Sequence, residues 1–327
     1  MRKYFLFLLF FNIFLITNAQ QINDYEQKIS DTIDHYDSVI TFNPTGSKIS
    51  LFASIVTPKN DFSKLVIIIP GSGPDTHRSH FELVEELVKR NIGVIRYDDR
   101  GAGDSEGAYR ETLRNLSSDL KGLLKYGQDN NLFQGKKVGL IGHSLGGMVS
   151  ISSNSPEVDF YVQWATPVNK YALFSDHQLK NRTNQDRFNL NAQLEVNKAI
   201  RDILAENPGL NENKIHKLVK KEVKRRGIEG YKWLYGMSMD IMMADLEPIY
   251  AGVSVPMLYI IGGNDAFVGP GEETIKLKSF DNPNIKVKVF DEFDHYLTKR
   301  NVASIEDNIY DIDNEASEYI VNWINQL

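Results

Sequence analysis

With 327 residues, 42% of them hydrophobic and 11% aromatic, the chain can bury a large core in one α/β domain carrying an insertion, and its composition excludes a disordered or collagen-like protein. Its 43 acidic and 37 basic side chains leave a formal net charge of -6, too little to build a field attractive to nucleic acid, so a small neutral or weakly polar substrate is expected. Cysteine is absent, which excludes a disulfide framework, a thiol nucleophile and a cysteine-borne lipid anchor.

The chain opens with Arg2 and Lys3, an apolar run from Phe5 to Ile16, and the small-residue stretch Thr17-Asn18-Ala19 before Gln20. That is the pattern of a secretory signal cleaved near Ala19. A spanning helix wants ~20 apolar residues, whereas this run is shorter and interrupted by Asn12. Residues 1–19 are therefore read as a signal peptide, with no stable membrane span, and the mature protein as periplasmic or secreted. From Ile49 onward strand-like and helix-like segments alternate, the order of a doubly wound, mostly parallel sheet with helices on both faces. Lys64 to Ile69 suits a buried central strand, and Phe81 to Lys89 carries Phe81, Val84, Leu87 and Val88 at helical spacing. A strand at Asn91 to Tyr97, a helix at Leu113 to Tyr126, a strand at Lys137 to Ile141, a helix at Leu145 to Ser153 and a strand at Val158 to Trp164 follow. Over residues 169–248 the β-like runs give way to helical patterns broken at Asn207-Pro208-Gly209 and Gly227 to Gly230, which predicts a helical lid between two parts of the core, 20–168 and 249–327. Strands at Val255 to Ile261 and Ile285 to Phe290 and a helix from Glu315 to Ile324 complete the pattern.

Gly142-His143-Ser144-Leu145-Gly146 fits the nucleophile elbow G-x-S-x-G, a serine on a tight strand-to-helix turn whose glycines leave room around it. The pentapeptide alone is weak, but here it follows an apolar strand and opens an apolar helix. A serine hydroxyl needs a histidine to take its proton and a third group to fix that histidine's tautomer. Asp265, in the turn Gly262-Gly263-Asn264-Asp265, and His295, in Asp294-His295-Tyr296, follow in the order Ser, Asp, His, each just past a strand. Sites form at that edge of an open parallel sheet. Asp291, Glu292 and Asp294 crowd the histidine too closely in sequence to brace it from behind, and Asp294 is expected to be a solvated loop residue. The glycine-rich turn Pro70-Gly71-Ser72-Gly73-Pro74 can present backbone N–H groups to a developing oxyanion, with Ser72 and Leu145 as the candidate donors.

These segments, together with Tyr97-Asp98-Asp99-Arg100-Gly101-Ala102-Gly103-Asp104-Ser105, resemble the α/β-hydrolase superfamily over most of the mature chain. The G-S-G-P turn is similar to that of its serine esterases of peptidase-like or acyl-thioesterase-like type, although Asp75-Thr76-His77-Arg78 departs from that group's run after the turn. The resemblance implies cleavage of a small-molecule ester or thioester through an acyl-serine, without a cofactor. An acyltransferase, a peptidase or amidase using the same triad, and a non-catalytic binding protein are the alternatives. The sequence offers no cluster of metal-ligand spacing and no phosphate-cradling loop, and nothing in it sets an oligomeric state. Of the other histidines, His143 is expected to be packed beside the sheet, and His77 and His80 to line the pocket or lie in a solvated loop. Lys217 to Arg226 is read as the solvated face of a lid helix. The cluster Tyr231, Trp233, Leu234, Tyr235, Met237, Met239, Met242 and Met243 is read as lid packing and as the lid segment best suited to touch substrate.

Overall fold

Runs that are apolar on every residue can be buried on both faces, and they become the centre of the sheet. The computed structural model describes residues 29–30, 32–181, 187–227, 239–299 and 311–327; the signal sequence and the stretch Tyr231 to Met237 lie outside them. Strands β1 (His35–Phe42), β2 (Leu51–Pro58), β3 (Lys64–Ile69), β4 (Ile92–Tyr97), β5 (Lys137–His143), β6 (Phe160–Trp164), β7 (Met257–Gly262) and β8 (Ile285–Phe290) form one eight-stranded sheet in the order β1-β2-β4-β3-β5-β6-β7-β8. The pairings from β4 through β8 are parallel, and β2 joins both β1 and β4 antiparallel.

Strands β4, β6 and β7 are buried at every residue, as is β5 after Lys137, whereas β1 is largely exposed. The sequence reading has no strand at 35–42, because His35-Tyr36-Asp37-Ser38 carries no apolar periodicity; partnership with β2 over its full length makes it a strand. On β8, the opposite edge, the pattern Ile285-Lys286-Val287-Lys288-Val289 exposes Lys286, a charge that discourages further strand pairing.

Helices α1 (Phe81–Lys89), α2 (Leu113–Asp129) and α3 (Leu145–Ser153) cover the sheet. Helix α1 buries Phe81, Leu83, Val84, Leu87 and Val88; α2 starts at Thr112, whose hydroxyl caps Asn115 N–H at 3.1 Å. After β6 the described chain runs through α4 (Phe174–Asn181), α5 (Arg187–Glu206), α6 (Glu212–Arg225), α7 (Met239–Met243) and α8 (Glu247–Gly252) before returning at β7. Val196, Ile200 and Leu204 of α5 and Ile215 and Val219 of α6 belong to the same continuous core as the sheet. Helices α9 (Pro270–Ser279) and α10 (Asn314–Asn325) flank β8 in sequence. Among the described residues no helix is long and apolar enough to cross a membrane.

Candidate active site

Ser144 stands between β5 and α3 at φ 54° and ψ −119°, a conformation that L residues rarely adopt and that costs about 1–3 kcal/mol. The surrounding glycines make it possible. A Cβ on Gly142 would press on the backbone of Gly146 and Gly147, one on Gly146 on the carbonyl oxygens of Ile69 and Pro70, and one on Gly147 on the side chain of Thr166. The elbow is thus wedged against the Pro70-Gly71 turn by backbone contact. Ser144 N–H donates to the Trp164 carbonyl at 2.8 Å, fixing the turn to β6.

The turns after β7 and β8 supply the other two groups. Asp265 is 3% exposed; its Oδ1 accepts Phe267 and Val268 N–H at 2.7 and 2.8 Å, and its Oδ2 accepts His295 Nδ1–H at 2.7 Å. Because a carboxylate only accepts, His295 carries its proton on Nδ1 and presents a lone pair on Nε2. Trp164 Nε1–H donates to the His295 carbonyl at 3.1 Å, so one tryptophan holds the backbone of both Ser144 and His295. Between the Ser144 hydroxyl and His295 there is no direct hydrogen bond among the described residues.

Asp294 is not a solvated loop residue. It is fully buried, and its Oδ1 accepts Tyr296 and Thr298 N–H, both at 3.0 Å, while Oδ2 accepts the Thr298 hydroxyl at 3.0 Å. It shapes the turn that carries His295 from within. Asp291 and Glu292 are exposed.

On the other side of Ser144, neither Ser72 N–H nor Leu145 N–H donates to any group among the described residues. The next amide is held: Gly73 N–H donates to Glu111 Oε2 at 2.8 Å and to Tyr109 Oη at 3.1 Å. Further along, Asp75 N–H donates to Asp99 Oδ2 at 3.0 Å, and His77 uses its backbone N–H and Nδ1 on Asp98 Oδ1 at 2.6 and 2.7 Å. His77 and His80 are therefore not solvated loop residues. His80 is buried with its Nε2 3.3 Å from His143 Nδ1, and burial, followed by the Arg96 charge, pushes it down to about 3. His143 is stacked on Trp164 with ring centroids 4.4 Å apart, and its centroid lies 5.0 Å from that of His295. Burial, then the two neighbouring histidines, push it well below the ordinary histidine range. Both rings remain neutral and add no charge beside His295. Among the described residues no group of three or more His, Cys, Asp or Glu side chains could hold a metal ion.

Sequence reading missed Trp164, Glu111, Tyr109 and Asp294 as supports of these turns. Only Asp294 carried a local signal, since an aspartate two and four residues before amides of its own turn is a common Asx arrangement.

A doubly wound sheet with a serine elbow after β5 and polar turns after β7 and β8 defines an α/β-hydrolase. Residues 60–299, most of the chain, match the family described as serine aminopeptidase, S33, and the chain belongs to that family of hydrolases. Solved structures share the fold. The Pyrococcus furiosus esterase Pf2001 is 19% identical, with a TM-score of 0.57 over 90% of this chain and 93% of its own. A thermostable carboxyl esterase from Bacillus coagulans in complex with glycerol is 14% identical, with a TM-score of 0.56 over 89% and 98%. A bromoperoxidase from Bacillus anthracis is 19% identical, with a TM-score of 0.53 over 88% and 100%. No curated protein matches the chain in sequence.

Proposed function

We propose that the chain is a serine hydrolase that cleaves a carboxylic ester or thioester through an acyl-serine. The observation that carries this reading is the buried 2.7 Å bond from His295 Nδ1 to Asp265 Oδ2 beside a serine held in the elbow conformation. His295 Nε2 takes the Ser144 proton as Oγ attacks the carbonyl carbon, and Asp265 stabilises the imidazolium that forms. Ser72 and Leu145 N–H groups hold the oxyanion. Collapse of the tetrahedral intermediate expels the alcohol or thiol, protonated by His295, and water activated by the same imidazole then frees the acid. An ester or thioester suits this minimal set, because its leaving group departs more readily than an amine. The esterases of the same fold agree with this preference, while the family description keeps amide cleavage as the second substrate class to assay.

Helices within residues 169–248 are proposed to act as the lid over the strand ends, and residues 1–19 as an export signal removed near Ala19. Amino-terminal sequencing of the protein recovered outside the cytoplasm should return a start near Gln20; an intact Met1 would sink the export reading. The catalytic reading is tested by a fluorophosphonate probe together with acyl esters of graded chain length, thioesters and aminoacyl amides. Labelling should map to Ser144, and Ser144→Ala should lose both labelling and turnover down to the residual ~10³ to 10⁴-fold catalysis of binding and oxyanion stabilisation. Near wild-type turnover in Ser144→Ala would overturn it. Acyl transfer to an added alcohol in preference to water would make the enzyme an acyltransferase.

A further inference from the structure

Among the described residues Asp265 makes five hydrogen bonds, and four of them stay within its own turn or involve His295: its N–H donates to the Gly262 carbonyl, its Oδ1 accepts Phe267 and Val268 N–H, and its Oδ2 accepts His295 Nδ1–H. The fifth comes from outside. His177, on helix α4, places Nε2 2.7 Å from the Asp265 carbonyl oxygen. A carbonyl only accepts, so His177 carries its proton on Nε2. We infer that His177 is a positioning residue for the acid turn: it fixes the Asp265 peptide, and through it the direction of the carboxylate that orients His295. This inference rests on the reading of Ser144, Asp265 and His295 given above.

Two further features show that the contact is built. A Cβ on Gly269, at the start of α9, would lie 3.1 Å from His177 Nδ1 and nearer still to Glu272, so glycine at 269 lets the imidazole lie against the turn. Helix α4 is itself held from behind: Asp176 pairs with Arg201 of α5 and accepts Asn197 Nδ2 at 2.9 Å, and Ser175 Oγ accepts the same amide at 3.1 Å. The imidazole is thus mounted on a helix pinned to α5 while its tip holds a single atom of the acid turn. Without the donor, the Asp265 carbonyl loses its partner from outside the turn, and the peptide that follows Asp265 is held only by the turn's own bonds. The aim of the carboxylate at His295 Nδ1 is then less well fixed, although Ser144, Ser72 and Leu145 make no contact with His177. Such a loss falls on kcat and leaves KM nearly unchanged.

The experiment compares wild type, His177→Phe, His177→Gln and Ser144→Ala on one activated ester, with circular dichroism to confirm each fold. Phenylalanine keeps the ring and removes the donor; the glutamine amide nitrogen reaches the place of the imidazole Nε2. His177→Phe should lower kcat about ten-fold with KM within about two-fold, and His177→Gln should recover most of the rate. Should His177→Phe fail to fold, His177→Leu is read by the same criterion. Wild-type kcat in the donorless variant, or equal losses in the donorless and glutamine variants, overturns the inference while Ser144→Ala remains inactive. Normal turnover by Ser144→Ala would instead overturn the triad reading beneath it.

Discussion

The turns at the carboxyl ends of the strands and the helices between β6 and β7 are held by different means. At the turns, backbone lies on backbone: Gly146 against the carbonyls of Ile69 and Pro70, Gly262 against those of Phe293 and Asp294, Gly263 against Asp291. Among the helices, side chains do the joining. Asp176 of α4 pairs with Arg201 of α5, Arg226 at the end of α6 reaches Glu195 of α5 at 3.2 Å, and in the connecting segments Lys170 meets Asp245 at 3.6 Å. Backbone contact tolerates only glycine and so leaves a fixed mark in the sequence, whereas a contact between side chains can be made by many pairs. Ser144, Asp265 and His295 stand on turns with the first kind of support.

The largest effect should appear at the turns. Asp265→Asn keeps the shape of its turn but removes the acceptor that His295 Nδ1–H needs, and should lower kcat by up to ~10⁴-fold. Asp291→Asn, on an exposed side chain, should be silent. Asp294→Asn should be mild, because an amide oxygen can still accept Tyr296 and Thr298 N–H while its NH₂ faces the Thr298 hydroxyl. Steady-state kinetics of the three on one ester decide the matter; a crippled Asp291→Asn beside a normal Asp265→Asn would move the acid elsewhere.

A second effect belongs to the border between the two regions. Glu273 of α9 is buried and accepts Val168 and Asn169 N–H at 2.8 Å each and Asn169 Nδ2 at 2.9 Å, where the chain leaves β6. Burial raises it from 4.5 to about 7, against the pull of those donors. A carboxyl raised on folding holds its proton more tightly in the native state. Its stability contribution is therefore fully present below pH 4.5 and is lost as pH rises to about 7, on the order of 3 kcal/mol in all. Urea unfolding at pH 4.5 and pH 8 should show that fall in wild type and a flatter response in Glu273→Gln; equal slopes would sink the assignment.

Gly146→Ala should destabilise the fold by about 1–3 kcal/mol, as overpacking does, and the thermal midpoint should fall with it. Smallest of all, Lys221→Ala on the exposed face of α6 should change stability by less than about 0.5 kcal/mol. A larger loss there would mean that this helix face is more than a solvated surface.

The same contrast explains what could be read in advance. Strands β3 through β7 were legible because burial on both faces favours apolar runs, β8 because its apolar residues alternate with lysines at strand period, and the elbow because its glycines have no substitutes. Strand β1 was not, since its stability comes from pairing with β2 and not from its own pattern. The approach of His177 to Asp265 and of Glu273 to Val168 left no trace either. Each joins residues about a hundred positions apart, and a lone histidine or glutamate on a helix looks the same whether it faces water or a carbonyl. Asp294 was misread for a related reason: it follows the exposed acids Asp291 and Glu292, but the chain turns inward between Glu292 and Phe293.

Trp164 accepts Ser144 N–H with its carbonyl and grips the His295 carbonyl with its indole. The two sites it holds lie on different strand ends that could otherwise fluctuate independently. Tethered to one residue of the strand between them, they share a mechanical reference, so thermal excursions of the sheet become common-mode: Ser144 and His295 are carried together, and the gap between them changes less than the position of either residue.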